Sequence, residues 1–199
     1  PEDQNGRLKE LTEQIYALYD ERRTILQQTA GEEVEDYEFT ASDGTKQSLS
    51  SLFAGKDELI VVHNMGKSCP YCTLWADGLN GIVDHLADRA GFVVSSPDTP
   101  EVQRDFADGR GWRFPMVSTE GTTFAKDVGF EVTHNGETGV YPGYSVFSRE
   151  EDGSIRRRGK DFFGPMDTYA GIWHMFAMLP KGSDEWHPRY SYAAEETNG

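Results

Sequence analysis

The chain has 199 residues, 34 Asp plus Glu against 19 Lys plus Arg and a formal charge of −15, a surface that repels nucleic acid and anionic lipid and so excludes both as partners. Its length buries a core without disulfide staples, and its two cysteines are too few for a secreted disulfide framework, which points to a reducing, cytoplasmic setting. No apolar run approaches the roughly 18 residues of a membrane span, and PEDQNGRLKE is charged throughout, unlike a signal peptide. The acids are dispersed and only seven of the 19 bases are lysine, a balance that suits solubility at high salt.

Residues 7–29 carry Leu8, Leu11, Ile15, Leu18, Tyr19 and Ile25 at three- and four-residue steps, which predicts an amphipathic helix. Tyr37-Glu-Phe39-Thr, the turn at Asp43-Gly44 and Gln47 to Leu49 predict a strand pair, followed by a Ser-capped helical turn ending at Phe53. The apolar run Glu58 to Met65 reads as a buried central strand. Directly after it comes Gly66-Lys-Ser-Cys69-Pro-Tyr-Cys72. Ser68 or Cys69 is the expected N-cap, with Pro70 at the first helical position and an apolar face running to about Asp88.

Gly91 to Ser95 is a second apolar strand. A helix follows from Ser96-Pro-Asp-Thr-Pro-Glu101 to Gly109 or Gly111, and Trp112 to Ser118 is a short extended piece. Tyr144 to Phe147, the turn at Asp152-Gly153 and Ser154 to Arg157 form a hairpin, and a last helix is expected from Met166 to Leu179, stopped by Pro180 and Gly182. The order predicts an α/β fold, a mixed sheet with helices on both faces, divided into an N-terminal helical segment (1–30), a domain (31–182) and a polar tail (183–199) anchored by Trp186, Tyr190 and Tyr192. A CxxC opening a helix after the first buried strand of such a unit reads as thioredoxin-like.

At a helix N-terminus Cys69 meets the positive end of the macrodipole and unpaired N–H groups, which favour the thiolate. Cys69 is therefore the expected nucleophile, helped by Lys67, and Cys72, one turn in, the resolving thiol. His63, six residues before Cys69, is the candidate base for Cys72; the alternative is a strand-end imidazole bonded within the fold. Zinc needs four ligands, and His63, His85, His134, His174 and His187 do not stand at finger or ribbon spacing from the pair. No metal and no cofactor is expected. A cis-proline facing the pair would dock an extended substrate; Pro142, which starts the strand at Tyr144, fits better than Pro115.

Cys69-Pro-Tyr-Cys72 is similar to the glutaredoxin tetrapeptide, and Phe39 to Gly44, Leu49 to Phe53 and Phe114-Pro-Met-Val-Ser118 resemble the framework of peroxiredoxins and thiol reductases. Over most of residues 30–190 the chain resembles an uncharacterised thioredoxin-like family, domain-of-unknown-function family 899, at Cys69-Pro-x-Cys72, Trp75-Ala-Asp77-Gly-x-Asn80-Gly81, Gly111-Trp-Arg-Phe-Pro115, Pro142-Gly-x-Ser-Val-Phe147 and Leu179-x-Lys181-Gly182. The resemblance implies a thioredoxin fold and dithiol–disulfide chemistry. Peroxiredoxins carry Pro-x-x-x-Thr/Ser-x-x-Cys; here Val62 and Gly66 stand at the Pro and Thr positions for Cys69. The glutaredoxin glutathione site is absent too.

The expected activity is thus thiol–disulfide exchange with a protein or small-molecule disulfide or thiol. Cys69, Cys72 and His63 form the catalytic set, and Pro142, Tyr141, Pro70, Arg113 and Trp75 the substrate contacts. Peroxide reduction by the same pair, and a non-catalytic binding or redox-sensing module, remain the alternatives.

Overall fold

The computed structural model describes residues 2–134 and 136–192, so residues 193–199 of the expected tail lie outside the described residues. The chain runs through α1 (Glu2–Gln28), β1 (Glu32–Val34), β2 (Glu38–Ala41), β3 (Lys46–Ser48), a 3₁₀ turn (Ser51–Phe53), β4 (Glu58–His63) and α2 (Pro70–Arg89). It continues through β5 (Gly91–Ser96), α3 (Pro100–Arg110), β6 (Met116–Ser118), α4 (Phe124–Asp127), β7 (Glu131–His134), β8 (Glu137–Val140), β9 (Gly143–Arg149), β10 (Ile155–Phe162) and α5 (Ile172–Phe176).

Eight strands form one mixed sheet in the order β1-β10-β9-β4-β5-β6-β2-β3. The central β4, β5 and β6 are parallel, joined by α2 and α3, and the flanking pairs are antiparallel. The apolar β4 and β5 are buried on both faces, as the continuous runs in the sequence require. Strand alternation sends Val62, Phe92 and Val94 to a core beneath α2 with Val83, Phe114, Phe163 and Trp173. Leu59, Val61 and Val93 go to a second core with Phe39, Phe53, Phe124, Phe130 and Phe147.

β7 and β8 form a separate two-stranded sheet, which the sequence expectations did not contain. The Asn135-Gly136 pair between them is the turn signal that could have found it. The expected last helix shrinks to α5. Asp167 takes the N–H groups of Gly164 (3.1 Å), Tyr169 (2.9 Å) and Ala170 (3.0 Å), holding the chain in turns where Met166 has φ +74°. Beyond α5, Trp186 packs on Trp173 and Phe176, and Tyr190 packs on Phe106. Among the described residues no helix is long and apolar enough to cross a membrane.

Candidate active site

The loop from β4 to α2 is held at both ends. Asn64 N–H donates to Ser95 O (2.8 Å), and Asn64 Oδ1 accepts from Gly66 N–H (2.8 Å). Asp98 Oδ2, on the neighbouring loop, accepts from Lys67 N–H (2.7 Å). Gly66 has φ +103°, and a Cβ there would lie 2.9 Å from Asp98 Oδ1, so conformation and space both require glycine. Lys67 thus serves the site through its backbone.

Cys69 is the N-cap of α2, and Pro70 sits at the first helical position as its missing N–H permits. Cys69 Sγ accepts from Cys72 N–H (3.1 Å), and Cys69 O accepts from the N–H and hydroxyl of Thr73 (3.1 Å each). Both thiols are free; Cys69 is half-buried and Cys72 buried. The Cys72 thiol donates to Cys69, and the N–H groups of Cys72 and Tyr71 add to it, so Cys69 is lowered to about 7 although burial opposes the shift. Cys72 moves the other way: giving its hydrogen to Cys69, together with burial, raises it. Met65 N–H donates to Cys72 Sγ at 3.4 Å and eases that rise.

His63 does not serve Cys72, which corrects the first expectation. Its ring stacks on Phe130, with centroids 3.7 Å apart, and on Phe124, both in the core opposite the one that holds Cys72. Nε2 lies 3.0 Å from Ser145 Oγ. Period-two alternation is the reason: Val62 faces α2, so the next residue faces away. Burial lowers His63 to about 3, with Lys160 and Arg157 adding, and the ring is neutral.

The proline expectation is also corrected. Among the described residues no peptide bond is cis, so Pro142 and Pro115 are both trans. Tyr141 N–H donates to Phe130 O (2.7 Å) and Pro142 O accepts from Phe163 N–H (2.8 Å), bonds that commit this backbone to the fold. Pro142 still borders Cys72, Trp75 and Phe163, and both Tyr141 and Pro142 line the cleft in front of Cys69. That cleft holds about 620 Å³, and all four residues of β8 line it. Trp75 is buried against Tyr71 and Phe163 and forms part of its floor.

Arg113 is not at the cleft. Its guanidinium bonds both Asp84 oxygens (3.0 Å each), and its N–H donates to Asn80 Oδ1 (2.8 Å), far along α2 from Cys69. Asn80 Nδ2 in turn donates to Gly111 O (3.1 Å), and Asp77 accepts from Arg110 Nε (2.9 Å) and Trp112 Nε1 (2.8 Å). The Trp-Ala-Asp-Gly and Gly-Trp-Arg-Phe-Pro blocks are therefore two halves of one clamp between α2 and the α3–β6 loop. In the first turn of α2 a separate contact reaches the C-terminal segment: the Tyr71 hydroxyl lies 2.9 Å from His187 Nδ1. Among the described residues no three His, Cys, Asp or Glu side chains converge as a metal site would need.

The sequence matches the family described as "Bacterial protein of unknown function (DUF899)" over residues 6–197. The chain belongs to the DUF899 family. No curated protein matches the DUF899 chain. Among solved structures it is similar to peroxidoxin BcpB from Mycobacterium tuberculosis, with 24% identity and a TM-score of 0.57 over 72% of this chain and 92% of that one. It is similar too to a Xylella fastidiosa PrxQ mutant, with 14% identity and a TM-score of 0.61 over 71% and 90%. A Xanthomonas campestris peroxiredoxin Q mutant gives 22% identity and a TM-score of 0.56 over 72% and 91%. At these identities the likeness establishes the thioredoxin-like fold of the DUF899 chain, not its activity.

Proposed function

We propose that the chain is a thiol–disulfide oxidoreductase in which Cys69 attacks and Cys72 resolves. The observation that carries this reading is the position of Cys69 Sγ at the start of α2, where it accepts hydrogen bonds from the N–H and the thiol of Cys72. A thiol lowered to about 7 is substantially thiolate at neutral pH and remains a good nucleophile. The Cys69 thiolate bonds to one substrate sulfur, the substrate S–S bond breaks, and the released sulfur takes the proton of Cys72. The Cys72 thiolate then attacks Cys69 Sγ, closing the Cys69–Cys72 disulfide and releasing the second substrate sulfur as thiolate. Two electrons pass to the substrate, and a cellular thiol or dithiol returns them.

Peroxide reduction by the same pair is the second reading, favoured by the peroxiredoxin names of the structural neighbours. Against it, among the described residues neither Arg nor Lys lines the cleft at Cys69, so no cation stands there to polarise a peroxide. Cys72→Ser protein exposed to disulfide-bonded proteins is expected to accumulate mixed disulfides at Cys69. Thiols inert to a mild alkylator at neutral pH would overturn the oxidoreductase reading. Rapid disulfide formation with hydrogen peroxide, and none with disulfides, would put peroxide reduction in its place.

A further inference from the structure

The backbone before Pro142 cannot dock a substrate strand, because its N–H is bonded to Phe130 O. The same bond fixes what the neighbouring strand offers. Residues 130 and 141 are a hydrogen-bonded antiparallel pair, and the ladder continues as Glu131↔Val140, Val132↔Gly139 and Thr133↔Thr138. Antiparallel pairs alternate between bonded and non-bonded residues. Val140 and Thr138 are therefore non-bonded positions, and their N–H and C=O groups point away from β7.

No other strand pairs with β8 among the described residues. All four residues of β8 line the same cleft as Cys69. The two outward-facing residues stand about 6.6 Å apart, the repeat of alternate residues in an added strand. Met65, Val132 and Tyr141, 42%, 38% and 43% exposed, supply apolar shoulders along the cleft for the side chains of such a strand.

Resting on the oxidoreductase reading, we propose that the substrate is an extended polypeptide carrying a disulfide-bonded cysteine. It adds antiparallel or parallel to the β8 edge through Thr138 and Val140 and presents its cysteine sulfur to Cys69. The occupant is a polypeptide and not a small disulfide because the unpaired groups are a row of main-chain donors and acceptors, which only another main chain satisfies in register.

Two probes with one leaving group test this: an extended peptide with a central cysteine bonded to thionitrobenzoate, and cysteamine bonded to the same group. In either case Cys69 thiolate bonds to the cysteine or cysteamine sulfur, the probe's S–S bond breaks, and thionitrobenzoate leaves as the coloured thiolate with the electron pair. With Cys72→Ser protein the peptide probe is expected to react at least about tenfold faster than the cysteamine probe, the worth of one or two backbone hydrogen bonds. Thr138→Pro, which removes an outward N–H, is expected to bring the two rates together.

A second measurement does not depend on that variant folding. Hydrogen exchange at the Thr138 and Val140 amides should slow in the trapped peptide adduct and not in the cysteamine adduct. Equal fast rates for both probes, unchanged exchange in the peptide adduct, or self-association of the free protein through β8 would overturn strand docking alone. Both probes reacting no faster than an ordinary thiol would overturn the oxidoreductase reading beneath it.

Discussion

His63 Nε2 and Ser145 Oγ lie 3.0 Å apart across the β4–β9 ladder, both side chains almost wholly removed from solvent. A ring lowered to about 3 by burial is uncharged in the native state, whereas the unfolded chain protonates it near 6.5. The unfolded state then binds more protons below that point, so stability is full above about 6.5 and falls as pH drops toward 3. His63→Gln is expected to flatten that acid limb in urea melts. His63→Ala should cost about 2–4 kcal/mol through the lost aromatic stack. Neither is expected to shift the pH profile of Cys69 alkylation, which a base acting on the cysteines would do.

Cys69 reactivity should carry the signature of its partner. Alkylation of the native reduced protein is expected to rise with pH around a midpoint near 7. In Cys72→Ala protein the midpoint should move up toward the ordinary thiol range, because the thiol of Cys72 is the largest cause of the depression. Mass spectrometry of iodoacetamide-labelled protein across pH reads both.

The two thiols also give the reduced protein a stability optimum. Cys69 is depressed, so its contribution grows as pH rises through about 7 and is complete above the unfolded thiol range near 8.5. Cys72 is raised, so above about 8.5 the unfolded chain releases a proton the native state keeps, and stability falls again. Urea midpoints of the reduced protein should peak near 8.5, and those of the disulfide form should lose the peak.

Gly66→Ala sets a side chain at φ +103° against the Asp98 carboxylate. A loss of about 1–3 kcal/mol is expected from the backbone strain. Cys69 alkylation should slow as well, because the loop that presents the thiol must shift. A melt unchanged within error would remove the steric account of this glycine.

Asp77→Ala removes the acceptor shared by Arg110 and Trp112. The expected loss is about 1–2 kcal/mol, measured as a lowered urea midpoint. Alkylation of Cys69 should keep its rate, since the clamp lies along α2 away from the thiols.

Much of this was legible from local signals. The β4, α2 and β5 assignments follow from apolar runs, Pro70 and the Cys69 cap, each a short-range property of the chain. What spacing could not give was direction. Six residues from His63 to Cys69 say that the two are near, but only the parity of Val62 decides which face the imidazole takes. Arg113 failed for a different reason: its partners Asp84 and Asn80 are distant in sequence, and a lone arginine names no partner. The helix expected from Met166 ignored Asp167, whose carboxylate competes for the backbone N–H groups a helix would use.

The burial of Cys72 imposes an order of events. A reagent in water meets Cys69 first, because Cys72 is only 2% exposed. The pair is thus a single-entry port: chemical damage falls on the outer sulfur, while the inner one is screened by its neighbour.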